Sequence, residues 1–536
     1  MKNNFFSSSF NQSFVYLYFI IIFLICWLQI GDYGATLDDE LYYLNGVNSY
    51  EYIKNFFLSF FDNEINLSEY KSKVKEWPIV FELFLVFVCN LFNISQIEDI
   101  YLTAHKINFI IFFCSLIIFY KFINKRFENN FISIVAVSFI ILSPRIFAES
   151  FYNSRDIFFM SLFIFYTYSG YNFLAKKNIL NTIIFAFFTA LLINAKILGL
   201  IPFTLFCLLY LYNYLNTKIK LIKNIKIFLF YLLFCITFIY LLWPFLWSSP
   251  FNNLLFAFKN ILKDHENIII INNYFGNYIP SNMMPWHYRL VWFFITTPVS
   301  IGLLFIGGLI LSFKNKLILI TKSLNDSFEF EKKQFTDLFL LLVFLGSFFI
   351  VLEFNKSKFG GWRHLYFLYP ITIYFCIYFI NFLLSSFLKT YYRLIIFCLI
   401  ALNFGYNFLW SINNHPHQYI FFNLLVKKYA MNNFDLDWWG ISHKSSIKYI
   451  LDNDKSSKIK IYAIGFTSLR NSYLYLNEQD KSRVIISDYK NSNYIIDTKM
   501  KRIRVNYNLD KNNNFKLIYQ LKSENYPISS IYKRIN

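Results

Sequence analysis

Charged residues, glycine and proline are all scarce in this chain. Only 15% of its 536 residues are charged, whereas 56% are hydrophobic and 22% are aromatic. So few charges cannot cover a soluble protein of this size, and the mean hydropathy of +0.40 indicates that most of the chain has lipid as its solvent. The 15 glycines and 11 prolines exclude a collagen-like or Gly/Pro-rich disordered chain. The composition therefore predicts a membrane protein.

Cysteine is also scarce. All seven cysteines lie in apolar stretches, and none has a CxxC or Cys/His spacing. This excludes a disulfide scaffold and a structural zinc site.

Acidic residues are fewer than basic ones, and the formal net charge is +19. The basic residues form short clusters between apolar runs and do not make one surface stripe. That pattern is typical of the positive-inside rule of membrane proteins, so no nucleic-acid partner is predicted.

Apolar runs of membrane-spanning length predict about eleven transmembrane helices. They lie near residues 14–31, 105–123, 131–148, 157–175, 180–195, 197–214, 226–246, 289–312, 336–353, 365–387 and 391–411. The first is expected to be a retained signal anchor, because Tyr33 three residues before a cleavage site would be unfavourable. The run 79–92 is short and carries Glu82, so an interfacial or re-entrant helix is expected there.

The basic clusters orient these spans. With the N-terminus in the cytoplasm, the short cytoplasmic loops carry the clusters at Lys121–Arg126, Lys176–Lys177, Lys218–Lys223, Lys314–Lys333 and Lys389–Arg393. Counting 79–92 as a span would place the first cluster outside. The C-terminus is then external.

The external segments differ in character from the cytoplasmic loops. The loop 32–104 begins with the acids Asp38, Asp39 and Glu40 directly after the first span. Adjacent carboxylates raise one another's pKa, which favours a general base, but acids also favour a solvated helix start. The residues alone leave both interpretations open.

A second external segment, "SPRIFAESFYNSRD" at 143–156, concentrates charge between two spans. Arg and Asp close to lipid are costly unless they are paired or bind a ligand. The segment is therefore either a binding site or a set of ion pairs that closes a tight turn.

Two cationic positions lie at the external ends of spans. Lys196 lies in "NAKILGL", and Arg363 and His364 lie in "GGWRHLYFLYP". Such cations suit a phosphate, with Arg as a bidentate fork and Lys as a point charge. Lys196 could instead extend to lipid headgroups. For Arg363, the neighbouring glycines favour a site that a ligand approaches closely.

Short alternating runs from Lys458 onward predict the strands of a small external α/β domain. A packing role or the presentation of an acceptor would both suit it. The predicted domains are a transmembrane catalytic domain, 1–411, with a first external loop at 32–104, and an extracytoplasmic region, 412–536.

The order of these motifs resembles that of bacterial membrane glycosyltransferases of the protein-mannosyltransferase-like superfamily (glycosyltransferase family 39, ArnT-like), which have the GT-C fold. The resemblance rests on "DDE", "PRIFAESFYNSRDIFFM", "NAKILGLIPF", "MMPWHYRLVWFFITTP", "GGWRHLYFLYP", "HPHQYIFFN" and "DLDWWGIS" in this order. It implies an all-α polytopic fold, a catalytic acid in the first external loop and a polyprenyl-phosphate sugar as donor.

Two departures from the family pattern matter. The family has Asp-Glu at a fixed distance from a glycine; the Asp-Glu dipeptide slightly favours Asp39 as the base, whereas the spacing to Gly46 favours Asp38. The second loop reads "NSRD" where the family has "NPKD".

The sequence therefore predicts a glycosyltransferase that uses a lipid, glycan or protein acceptor among membrane lipids. Its predicted substrate-binding residues are Arg145, Asn153, Arg155, Asp156, Lys196, His287, Arg363 and His364. No redox cofactor is expected, and Mg²⁺ or Mn²⁺ near the acids stays open, with no ligands beyond the acids themselves. The rival hypothesis is a membrane transporter or a flippase for polyprenyl-linked glycans, for which ionisable groups at mid-span and broken helices are typical.

Overall fold

The computed structural model describes residues 12–61, 77–215, 221–267, 269–325, 330–354, 357–386, 389–465, 469–498, 509, 514–524 and 526–535. Lys218 and Lys220 of the predicted cytoplasmic loops lie outside these residues.

Apart from one hairpin, the described residues between 12 and 413 form helices and the segments that connect them. The helices are α1 Gln12–Gln29, α2 Asp39–Leu58, α3 Val80–Leu91, α4 Ile97–Phe127, α5 Asn130–Ile141, α6 Pro144–Tyr152, α7 Asp156–Ala175, α8 Ile179–Ala195, α9 Leu200–Leu215, α10 Leu221–Leu242, α11 Pro250–Asn267, α12 Tyr288–Thr296, α13 Val299–Asn325, α14 Lys332–Phe354, α15 Tyr369–Ser386 and α16 Thr390–Asn413. The hairpin joins β1, Ile271–Tyr274, to β2, Asn277–Pro280.

The described residues include nine helices long and apolar enough to cross a membrane, or ten if the bent pair α5–α6 counts as one span. The expected span at 131–148 is this pair, which bends by 70°. Pro144 explains the bend, because proline has no N–H to continue a helix but is favoured at the first position of a new one. The expected span at 289–312 is divided between α12 and α13, and the expected span at 180–195 is the 17-residue helix α8.

The expected interfacial segment 79–92 forms the 12-residue helix α3, which packs against α2. Gly46 of α2 permits this contact, since a Cβ there would lie 2.7 Å from the carbonyl oxygen of Glu82. The close approach brings Glu82 next to α2, the helix that begins with the acids.

The C-terminal region contains α17 Ala430–Asn433, α18 Ser442–Asn453, α19 Arg470–Leu474 and α20 Glu478–Arg483. Its strands are β3 Ile459–Ile464, β4 Val484–Ile486, β5 Tyr494–Asp497, β6 Phe515–Ser523 and β7 Tyr526–Arg534. They form one mixed sheet in the order β4-β3-β5-β7-β6, in which β3 is parallel to β4 and β5. This confirms the predicted small α/β region.

Two of the predicted cytoplasmic clusters, Lys121–Arg126 and Lys314–Lys333, meet in the helical bundle. Arg126 of α4 and Lys316 of α13 both bind Asp337 of α14, at 2.8 and 2.9 Å. Lys333 of α14 forms an ion pair with Glu128, at the C-terminal end of α4, at 2.7 Å. The first external loop and the segment 143–156 form a separate group of contacts. Which end faces the cytoplasm stays a prediction.

Candidate active site

The three acids after α1 have three different environments. Asp38 lies at the N-cap of α2 and accepts a hydrogen bond from the Tyr42 hydroxyl at 3.0 Å. Asp39 turns back to Thr36, accepting from its backbone N–H at 2.7 Å and from its hydroxyl at 2.6 Å. Glu40 accepts two hydrogen bonds from the Arg470 guanidinium, one from Nε and one from Nη2, each at 2.7 Å. Three neighbours in sequence are thus separated in role by their partners.

Burial raises the pKa of Asp39 to about 7, although its hydrogen bonds from Thr36 act in the opposite direction. The neutral and ionised forms of this carboxyl are therefore both accessible near neutral pH. The hydrogen bonds to Thr36 close the first turn of α2 in the manner of a capping box.

Asp156 is the centre of a cationic group that joins three parts of the chain. It is the first residue of α7, where a carboxylate is favoured by the helix dipole, and Asn153 Oδ1 accepts from its N–H at 2.9 Å. Lys196, at the end of α8, hydrogen-bonds to its Oδ1. Arg363 Nη1 lies 3.7 Å from Oδ2, and His364 Nδ1 lies 3.9 Å from Oδ1. Two cations, Lys196 and Arg363, thus lie beside one carboxylate.

The bent helix α6 supplies a second carboxylate to the same place. Glu149 accepts from the Tyr366 hydroxyl and from Asn153 Nδ2, both at 2.6 Å. Arg145, one turn earlier, lies close enough to stabilise the charge of Glu149. Its Nε and Nη2 are buried with no hydrogen-bond partner among the described residues, so they stay available to a ligand.

Arg155 joins the second external segment to the first. Its Nε lies 3.0 Å from Glu82 of α3, and its Nη1 donates to the carbonyl of Pro78 at 2.8 Å. Its guanidinium also lies over the ring of Tyr42, 4.4 Å from the centroid. Because Tyr42 in turn donates to Asp38, the acid loop and the Asp156 group form one connected network.

Arg363 is held by aromatic rings. Its guanidinium lies 4.4 Å from the centre of the Trp439 ring, and its Nε is buried with no hydrogen-bond partner among the described residues. Gly360 is left-handed at φ +65°, and a Cβ there would lie 2.8 Å from Arg363 Nε. A larger residue at 360 would therefore displace the guanidinium.

A pocket opens beside Arg363. Its lining combines charged and aromatic side chains: Arg145, Glu149, Trp292, Gly360, Gly361, Arg363, Tyr419, Asp435, Leu436, Trp438 and Trp439. Burial raises the pKa of Asp435 to about 7. Its Oδ1 accepts from the N–H of Asn273 at 3.1 Å, and its Oδ2 has no partner among the described residues. Aromatic faces with hydrogen-bonding edges suit a sugar ring.

An apolar cleft begins next to the Asp156 group. It runs between α2, α3, α7 and α8, and Phe158, two residues after Asp156, is part of its wall. The other lining residues are almost all apolar: Tyr50, Ile53, Val80, Phe81, Leu83, Phe84, Phe87, Ile111, Leu162, Phe165, Phe188, Leu191 and Leu242. Such a cleft can hold a hydrocarbon chain whose headgroup reaches the cations.

Most of the predicted substrate-binding residues therefore lie together. The structure gathers Arg145, Asn153, Lys196, Arg363 and His364 around Asp156 and Glu149, and Arg155 connects this group to Asp38 through Tyr42. His287 is apart from them: its Nδ1 lies 2.7 Å from the Tyr274 hydroxyl, in the hairpin region.

Sequence reasoning missed four members of the site, Glu82, Tyr42, Tyr366 and Asp435. Glu82 was noted only as a charge that interrupts an apolar run, and Asp435 only as part of "DLDWWGIS". A lone tyrosine in a chain with 41 of them gives no signal.

The acids do not fit a metal ion. Both oxygens of Asp39 are engaged by Thr36, and Glu40 is engaged by Arg470, which leaves only Asp38. Among the described residues, no group of three or more His, Cys, Asp or Glu is arranged to hold a metal.

No protein-family model matches the sequence, and no curated protein sequence matches it. The structure is similar to the crystal structure of ArnT from Cupriavidus metallidurans in the apo state, at 11% identity, with 98% of each chain covered and a TM-score of 0.51. It also matches ArnT bound to undecaprenyl phosphate, at 10% identity, with 98% of each chain covered and a TM-score of 0.45. A third match is the Archaeoglobus fulgidus oligosaccharyltransferase tethered with an acceptor peptide, at 10% identity, covering 78% of this chain and 56% of that one, with a TM-score of 0.43. The first match shows the fold: the chain has the ArnT-like GT-C fold, as the sequence predicted.

Proposed function

We propose that this multi-pass membrane protein is a glycosyltransferase that moves a sugar from a polyprenyl-phosphate donor to an acceptor hydroxyl. The observation that carries the proposal is the junction of three features: an acid at the start of α2, the cations around Asp156, and the apolar cleft beside them. A lipid-linked sugar has three parts that match these features: a reacting carbon, a phosphate and a hydrocarbon chain.

The cations suit the phosphate. Lys196 and Arg363 both lie beside Asp156, so a phosphate that approaches them meets two fixed cations. As the bond between the sugar and the phosphate breaks, negative charge grows on the departing phosphate, and fixed cations stabilise it without having to reorganise. Asp156 orients the two cations.

The base is Asp38 in this proposal. The sequence left Asp38 and Asp39 open, with a slight preference for Asp39. Asp39, however, uses both oxygens to close the first turn of α2, and Glu40 is bound to Arg470. Asp38 instead shares Tyr42 with Arg155 and lies within electrostatic reach of Arg363. Of the three adjacent acids, Asp38 is the one that these contacts connect to the cations.

The proposed reaction is one displacement at the anomeric carbon of the sugar. Asp38 takes the proton of the acceptor hydroxyl, the acceptor oxygen forms a bond to the anomeric carbon, and the bond from that carbon to the phosphate oxygen breaks. Attack from the side opposite the phosphate inverts the anomeric carbon. Polyprenyl phosphate leaves with the bonding electron pair, and Lys196 and Arg363 hold it. The sugar would lie beside the phosphate, towards the aromatic side chains next to Arg363, such as Trp439.

The acceptor is a lipid, a glycan or a protein hydroxyl, and the site faces the outer side of a bacterial inner membrane in this proposal. The test uses the purified chain in lipid with radiolabelled undecaprenyl-phosphate sugars, one hexose and one pentose. The expected result is release of undecaprenyl phosphate that stops in Asp38→Asn. No release from either donor, with each class of acceptor supplied, would contradict the proposal.

A flippase for polyprenyl-linked glycans is the second candidate, because the bent pair α5–α6 is the kind of broken helix expected in a transporter. The same assay separates the two functions. A flippase moves the donor between leaflets but leaves its sugar–phosphate bond intact.

A further inference from the structure

The C-terminal region holds the segment that carries the acids. We call residues 31–40 the acid segment. Asn471, in the short helix α19, donates from Nδ2 to two successive carbonyls of this segment, Thr36 O at 2.6 Å and Leu37 O at 2.9 Å. These are the two peptide groups immediately before Asp38. Asn471 is itself buried, so water does not compete for these bonds.

Other contacts fix the same segment from the same side. Arg470 donates to Glu40 from Nε and from Nη2. Lys444 of α18 donates to the carbonyl of Tyr33 at 3.2 Å and also to that of Gly31. The Tyr33 hydroxyl donates to Gln418 at 2.9 Å. The acid segment is thus bound along its length by residues far away in sequence.

Asn471 occupies the decisive place in this set. The orientation of a side chain follows from the peptide planes on either side of its Cα. Within the acid segment, Asp39 binds the N–H and the hydroxyl of Thr36, and its own N–H reaches Thr36 O only at 3.5 Å, whereas Asn471 binds both carbonyls before Asp38 from outside the segment. One amide group that binds both preceding carbonyls fixes them.

We infer that Asn471 is a positioning residue for Asp38, and that the C-terminal region serves the reaction by holding the base in place through Asn471 and Arg470. This inference rests on the proposed function for its catalytic consequence. Its structural half, that Asn471 holds the acid segment, stands by itself and can be measured without any substrate.

The structural half is tested by hydrogen–deuterium exchange on the full-length chain in lipid. In Asn471→Ala, the amides of residues 36–42 should exchange roughly tenfold faster than in the wild type, because two buried hydrogen bonds are lost. Asn453→Ala is the matched control, since Asn453 lies in the same region but donates only to Tyr449 within its own helix. Unchanged exchange at 36–42 in Asn471→Ala, or an equal increase in Asn453→Ala, would overturn the inference.

The catalytic half is tested by steady-state kinetics with the active undecaprenyl-phosphate sugar. Asn471→Ala should lower kcat by roughly ten- to a hundredfold, because a small misplacement of a catalytic group has that effect, while the donor KM stays within about twofold. A variant that merely lost folded protein would keep its kcat per folded molecule. An unchanged kcat alongside faster exchange would refute the positioning role.

Arg470→Ala gives a second, milder variant. The Arg470 side chain is 62% exposed, so its removal should not prevent folding. We expect faster exchange near Glu40 and a smaller fall in kcat than in Asn471→Ala. If the wild type transfers no sugar at all, the proposed function fails, and the exchange experiment alone decides whether Asn471 holds the acid segment.

Discussion

Replacing Asp38 with asparagine should abolish sugar transfer. The amide is nearly isosteric with the carboxylate and can still accept from the Tyr42 hydroxyl, so the start of α2 keeps its shape. What disappears is the basicity. Removing the acceptor proton in the transition state is worth roughly a hundred- to ten-thousandfold in rate, or about 3–5.5 kcal/mol of barrier. Donor binding should change little, because Lys196 and Arg363 are untouched.

The neighbouring acids provide matched controls. Asp39→Asn loses a charge that closes the first turn of α2, a contact of the capping type that is worth about 0.5–2 kcal/mol of stability and is not part of the reaction. Glu40→Gln breaks an exposed ion pair, which typically contributes less than about 1 kcal/mol. Both variants should therefore keep most of their turnover per folded molecule.

The assay is release of undecaprenyl phosphate from a radiolabelled donor, with the amount of folded protein and the donor affinity measured in parallel. If Asp39→Asn is inactive while Asp38→Asn turns over normally, the assignment of the base is wrong. Normal turnover in all three variants would make the acid triplet a helix start without a catalytic role.

Four other predictions follow from the structure. Arg363→Lys should lose roughly a hundredfold in turnover although the charge is kept, because an ammonium cannot reproduce the planar fork stacked on Trp439; wild-type turnover there, with an inactive Arg363→Ala, would show that only the charge matters. Lowering the pH from 8 to 5 should raise the protection factors of the amides in residues 36–42, which compare the exchange rate with the intrinsic rate at the same pH: burial raises the pKa of Asp39 to about 7, so the folded state binds a proton that the unfolded state has released, and the resulting stability is lost as the pH rises through 7. Asp39→Asn should remove this pH dependence, and a persistent dependence would assign it to another group. Asp337→Asn should lower stability in a thermal assay by about 3–5 kcal/mol, because Arg126 and Lys316 lose their shared buried counter-charge; a small change would mean that water reaches the pair. Reporter fusions after Lys125, Lys177 and Lys389 should report the cytoplasm, and fusions after Pro280 and at the C-terminus should report the outside; a cytoplasmic C-terminus would overturn the predicted orientation.

The helical fold could be predicted from the sequence because its physical causes are local. A run of apolar residues of spanning length identifies a membrane helix whatever its neighbours are. The alternating runs after Lys458 likewise identified strands, and the five-stranded sheet confirms them. The bend at Pro144 was not anticipated, because 131–148 was interpreted as a single apolar run. A proline at the first position of α6 could have revealed it.

The candidate site was accessible to sequence reasoning only in part. Charges beside lipid are unusual enough to be noticed one by one, and seven of the eight predicted substrate-binding residues do lie together. His287 is a histidine near a span, like His364, but its partner is Tyr274. No local sequence pattern distinguishes it from the other predicted residues.

Sequence alone determined the class of protein, the helical segments and the set of charged residues near the membrane surface, since these depend on composition and on neighbours along the chain. Only the tertiary structure determined which groups Asp38, Asp39 and Glu40 each contact. They are adjacent and chemically alike, and what separates them is contact with Tyr42, Thr36 and Arg470. Arg470 follows Glu40 by 430 positions. A carboxylate takes its role from the groups within a few ångströms of it, and chain folding alone brings such distant groups together.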